Sequence, residues 1–115
     1  MEIIWSQPFK TDVKFYLKKK RYTKILDDID TAVNEIQAGN FIGDKLEGLN
    51  IPPNTAVYKV RLPNSSINVG KSGGFRLLYY VAIADKVYLV KIYSKKDDNR
   101  IPSDAQIAEL INTLL

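Results

Sequence analysis

The sequence predicts an α+β fold in which a helical hairpin and a C-terminal helix pack on a small, mainly antiparallel, twisted sheet. Two helical runs before residue 40, three strand-like runs between residues 56 and 94, and a capped helical run at the end carry this expectation. A chain of 115 residues with 26% charged residues can bury one compact core, so a single domain over 1–115 is expected.

The elements follow in order. Ile3, Ile4 and Trp5 suit a short first strand at residues 2–6. Pro8 suits the first turn of a helix capped by Ser6 or Gln7. Phe9, Val13, Tyr16 and Leu17 then recur at helical spacing, with Lys10, Lys14 and Lys18 outward. After the basic knot Lys18-Lys19-Lys20-Arg21, a second helix runs through Tyr22, Ile25, Leu26, Ile29, Ala32, Val33 and Ile36 and stops at Gly39-Asn40. Its acidic run Asp27, Asp28 and Asp30 is expected on the solvent face. Phe41 to Thr55, with Gly43, Gly48, Pro52 and Pro53, reads as a connecting loop.

The next part is strand. Ala56 to Leu62 alternates, Pro63 to Gly74 is rich in turn residues, and Phe75 to Ile83 is dense in aromatic and β-branched side chains. Ala84-Asp85-Lys86 turns into Val87 to Ser94, predicting an antiparallel hairpin. The terminal helix begins at a capping box, Ser103 and Gln106, and carries the stripe Ile107, Leu110, Ile111 and Leu114.

Composition narrows the chemistry. With no cysteine there is neither a disulfide nor a thiolate metal site. The absence of histidine removes the commonest metal ligand and the side chain best suited to proton transfer near neutral pH. Zinc hydrolases and Ser/Cys–His triads are therefore disfavoured, and no metal or other cofactor is expected. The start Met1 to Trp5 lacks the pattern of a signal peptide and no apolar stretch reaches membrane-spanning length, so a cytoplasmic location without membrane contact is expected. The net charge of +4 mildly favours a polyanionic partner.

Side chains two apart on a strand share a face. One parity gives Tyr58, Val60, Leu62, Phe75, Leu77, Tyr79, Val81, Tyr88, Val90 and Ile92, an expected core face. The other gives Lys59, Arg61, Arg76, Lys91, Tyr93 and, just past the strand, Lys95. Crowded cations repel one another, and an anion relieves the repulsion. A phosphodiester under attack by its neighbouring 2′-hydroxyl gains charge on its non-bridging oxygens, which arginine forks would bind in preference to the ground state. The competing reading is a solvated sheet face that does no chemistry.

Other signals are weaker. Gly70-Lys71-Ser72 has the ending of a phosphate-binding loop, but Ser65 stands where that motif needs its first glycine, and a strand follows rather than a helix. The knot Lys18, Lys19, Lys20 and Arg21 can meet RNA phosphates or simply complement the helix dipole.

The stretch Gly70-Lys71-Ser72-Gly73-Gly74-Phe75-Arg76-Leu77-Leu78-Tyr79-Tyr80, followed by Ile92-Tyr93-Ser94-Lys95-Lys96-Asp97, resembles the RelE/ParE toxin superfamily, closest to its HigB-like RelE members. The order of elements, including the loop Gly43-Asp44-Lys45-Leu46-Glu47-Gly48-Leu49, extends the resemblance over the chain. It implies a RelE-like fold and a toxin of a type II toxin–antitoxin pair, silenced by a cognate antitoxin protein and cutting mRNA on the ribosome. On that resemblance Lys59 and Arg61 match the basic pair after the loop, Arg76 the arginine after the glycines, and Lys96 the basic position beyond the last strand. Tyr93, Lys95 and Lys71 rest on geometry and similarity to HigB-like sequences; Lys71 and Lys91 join the knot as RNA contacts. RelE-like enzymes often carry a tyrosine near the start of the terminal segment. Residues 97–115 contain none, and Pro102 lies near that place.

The chemistry expected is metal-independent. Lys59 or Lys95 takes the 2′-hydroxyl proton, Arg61 and Arg76 hold the phosphate, and Lys96 or Tyr93 protonates or shields the leaving 5′-oxygen. The alternatives are a ParE-like toxin that inhibits DNA gyrase by binding, and a catalytically inactive member of the superfamily.

Overall fold

Ser6 ends the first strand and begins the first helix, which sets the path of everything after it. In the computed structural model, which describes residues 1–114, β1 spans Glu2–Trp5 and α1 spans Gln7–Lys18. The Ser6 hydroxyl accepts from the Phe9 amide at 3.3 Å, the N-cap expected from Ser6 ahead of Pro8. Helix α2 covers Ile25–Gln37, and Gly39 closes it at φ 91°. Tyr22 falls in the connection before α2, stacked on Tyr16.

Five strands form one mixed sheet in the order β1-β5-β4-β3-β2, with β2 at Asp44–Lys45, β3 at Ala56–Leu62, β4 at Phe75–Val81 and β5 at Lys86–Ser94. Only β1, parallel to β5, departs from antiparallel pairing. The β4–β5 turn places Ala84 and Asp85 at positive φ, the backbone twist that a tight hairpin needs. The residue 41–55 segment is not all loop, because β2 adds a two-residue edge strand against Tyr58 and Lys59.

Helix α3, Asp104–Leu114, starts at the expected capping box: the Gln106 amide donates to the Ser103 hydroxyl at 3.2 Å, and the Ser103 amide donates to Gln106 Oε1 at 2.8 Å. No helix among the described residues is long and apolar enough to cross a membrane.

Two parity expectations need correction. The β4–β5 register slips between Leu78 and Tyr79, where Leu78 pairs with Lys91 but Tyr79 with Leu89. Val90 is thus a bulge, and the slip exchanges the faces of the earlier part of β5. Val87 and Leu89 join Ile92 in the core under α1 and α2, while Val90 and Tyr88 lie with the second cluster. The face opposite the helical hairpin is also not a cationic surface throughout. Val57, Leu78, Tyr80, Val90 and Tyr93 form a second core with Ile107 and Ile111 of α3. Burial of both faces explains why these strands carry apolar residues at both parities.

The acidic run on α2 splits as well. Asp28, expected in solvent, is buried and accepts from the Ser65 amide at 3.0 Å and from its hydroxyl. It pins the 63–70 segment onto α2, so that segment is a docked turn carrying a short 3-10 helix at Ser65–Ile67.

Candidate functional site

The strand register sets three of the expected residues in a line. Arg61 on β3 lies opposite Arg76 on β4, and Arg76 lies opposite Tyr93 on β5. One step along, Lys59 and Lys91 flank Leu78. Helix α3 covers the apolar rows, which leaves the Arg61 end of the face as its charged margin.

The three residues of the line differ in what they present. Arg61 is exposed and makes no side-chain hydrogen bond to the described residues. Arg76 is only 8% exposed, and its fork is already occupied: Nη1 donates to the carbonyls of Lys71 at 3.1 Å and Phe75 at 3.2 Å, and Nη2 donates to that of Ser72 at 3.2 Å. Burial and the facing Arg61 disfavour its charge, while Tyr93 favours it. Tyr93 is 5% exposed, and burial raises its hydroxyl above the ordinary tyrosine value against the opposing pull of Arg76. It therefore keeps its proton at neutral pH, as an acid and not a base must.

Arg76 thus shapes the glycine turn beside it. By drawing the Lys71 and Ser72 carbonyls inward, it holds the exposed side chain of Lys71 at the end of the line. Gly74 completes the turn because a β-carbon there would collide with the Leu62 carbonyl and lie 2.8 Å from the Asn64 amide nitrogen. Gly74→Ala is expected to lower stability by about 1–3 kcal/mol or more, since the clash is with backbone that cannot rotate away. Equilibrium urea unfolding measures this, and an unchanged midpoint would refute the close approach.

The remaining candidates divide. Lys59, Arg61 and Lys71 come together along one groove of ≈ 700 Å³, lined by Asp28 and Glu35 from α2 and by Asp44, the β2 partner of Lys59. Lys95 and Lys96 are exposed just past β5, where the Lys95 amide donates to the Gly74 carbonyl at 3.0 Å. Lys18, Lys19, Lys20 and Arg21 are exposed at the end of α1. Lys20 lies 4.0 Å from Asp97, which sets this knot beside Lys96. Lys91 does not join the face: its ammonium donates to Asp12 on α1 at 3.0 Å.

Asp12 is the residue that sequence reasoning missed. Strand β1 pairs with β5 only as far as Leu89, which leaves the edge of β5 from Val90 to Ser94 without a neighbouring strand. Side chains from α1 and its cap replace that strand. The Ser6 hydroxyl donates to the Val90 carbonyl at 3.4 Å, Asp12 Oδ2 accepts from the Ile92 amide at 3.1 Å, and the Tyr16 hydroxyl accepts from the Ser94 amide at 2.8 Å. Tyr16 also donates to Asp97 at 2.8 Å, and Arg100 donates to Asp12 at 3.4 Å while its guanidinium lies 3.6 Å over the Phe15 ring. A signal was present, because Asp12 falls among Phe9, Val13 and Tyr16 on the apolar stripe of α1.

Among the described residues, no group of three or more carboxylates lies together in a way that would hold a metal ion. No family model matches the chain, and no curated protein matches it.

Proposed function

We propose that this chain is a RelE-like toxin of a type II toxin–antitoxin pair that cleaves messenger RNA on the ribosome without a metal or other cofactor. The observation that carries the reading is the Arg61–Arg76–Tyr93 line, with Lys59 and Lys71 beside it and Lys95 and Lys96 past its end. In this reaction the 2′-oxygen attacks phosphorus, its proton passes to Lys59 or Lys95, and the P–O5′ bond breaks. The leaving 5′-oxygen takes a proton from Tyr93 or Lys96. Arg61 supplies the free guanidinium that meets charge developing on the non-bridging oxygens. Arg76 acts one step back, holding the turn that carries Lys71. The residue 18–21 knot lies along the path of the flanking RNA and adds phosphate contacts. A cognate antitoxin that silences such a surface would be acidic or amphipathic where it covers these cations.

The burial of Arg76 and Tyr93 favours a second reading. A ParE-like toxin that inhibits DNA gyrase by binding, or a superfamily member without catalysis, needs neither side chain exposed. Adding the purified chain to a translation system with mapping of mRNA ends, and in parallel to a gyrase supercoiling assay, separates the readings. Ribosome-dependent cuts with no effect on gyrase support the first. Intact mRNA with inhibited supercoiling supports the second.

A further inference from the structure

We propose that the groove between α3 and the open edge of β5 binds a small organic carboxylate that also carries a hydrogen-bond donor. The groove measures ≈ 610 Å³, within the range of small-ligand sites. It contains none of Arg61, Arg76 and Tyr93, so the site stands whether or not the chain cuts RNA.

Lys91 and Arg100 both line this groove, and both lean on the same Asp12 oxygen, Oδ1, at 3.0 Å and 3.4 Å. The other Asp12 oxygen is taken by the Ile92 amide. One carboxylate therefore faces two cations, and an excess positive charge remains at this end of the groove, balanced in the groove as a whole by Glu109. These side chains are only 19% and 25% exposed, so water screens that excess less than it would on an open surface. Each cation also keeps donors to spare, since an ammonium has three N–H groups and a guanidinium five. The stack of Arg100 on Phe15 fixes its plane and leaves the edge of its fork open.

The other contents of the groove define the rest of the ligand. Ile101 keeps 46% of its surface exposed and, with Leu110, offers an apolar patch for a carbon skeleton. Glu109 shares the groove and forms no ion pair among the described residues. It would repel a simple anion but accept from an ammonium or amino group on the same molecule. A carboxylate end at Lys91 and Arg100 and a donor end at Glu109 describe a ligand of the amino-acid kind.

The test is titration of the isotope-labelled full chain with inorganic phosphate, glutarate and glutamate, read at backbone amides by NMR. Saturable shifts at Lys91, Arg100 and Gln106 are expected with glutamate. Glutarate, the same diacid without the ammonium, is expected to bind about tenfold more weakly for want of the charge-assisted bond to Glu109. Lys91→Gln combined with Arg100→Gln should abolish saturation by all three. Glu109→Gln, at an exposed position, should erase the preference for glutamate without disturbing the fold, so it decides the matter even if the double variant unfolds. No saturable shift with either organic anion, a response to phosphate alone, saturation that survives the double substitution, or an unchanged preference in Glu109→Gln overturns the proposal.

Discussion

Replacing Arg61 by alanine is expected to lower the rate of ribosome-dependent mRNA cleavage by about 10²–10³-fold, the usual loss when one donor to a developing oxyanion is removed. Stability should change by no more than about 0.5 kcal/mol, because the side chain is exposed and bonded to nothing in the fold. The contrast with Arg76 makes the prediction specific. Arg76→Ala removes three donations to the carbonyls of the glycine turn, so it should lower activity and also raise hydrogen exchange in residues 70–75. Arg76→Lys keeps the charge but loses the fork, and should behave like the alanine variant in exchange. End-mapping rates in a translation system, beside exchange and unfolding curves, distinguish the two arginines. Full cleavage by Arg61→Ala, or exchange in Arg76→Ala equal to that of the parent chain, would remove the roles assigned to them.

Local chemistry was legible where a few neighbouring residues decide it. Ser6 ahead of Pro8, Ser103 with Gln106, and the alternation of β3 each act within a turn or a strand, and each reappears in the fold. Features that depend on docking were not legible. The Val90 bulge arises from the pairing of β5 with β4, and no residue type in Lys86–Ser94 marks it. The two-residue β2 has too little sequence to show alternation. The line Arg61–Arg76–Tyr93 was visible in strand parity, but its burial was not, since that depends on where α3 lies. Parity likewise placed Lys91 on the same face without revealing that a carboxylate on α1 would capture it. Asp12 and Asp28 share one lesson: a carboxylate on a helix can be buried to satisfy backbone donors that a neighbouring strand or turn leaves open.

Asp12→Ala is expected to destabilise the fold by about 3 kcal/mol or more, since it leaves a buried amide without its acceptor and two half-buried cations without their counter-ion. Asp12 is only 3% exposed, and its Oδ2 accepts from the Ile92 amide on the open edge of β5. Asp12→Asn should cost less, because its carbonyl oxygen can still accept from Ile92. The pair of variants also reveals a pH dependence. Burial is the largest influence on Asp12 and raises its carboxyl above the ordinary value, against the lowering effects of Lys91, the Ile92 amide and Arg100. The folded chain therefore binds this proton more tightly than the unfolded chain does. The stability contributed by that proton is fully present below about pH 4, the unfolded carboxylate range, and is lost as pH rises through the raised folded value. Asp12→Asn cannot titrate there. The stability of the parent chain minus that of Asp12→Asn should accordingly be greatest at the acid end and fall to a plateau as pH rises. Urea unfolding of both chains across the acid range measures the difference, and a difference that grows with pH would mean that the ion pairs with Lys91 and Arg100, not burial, govern this carboxylate.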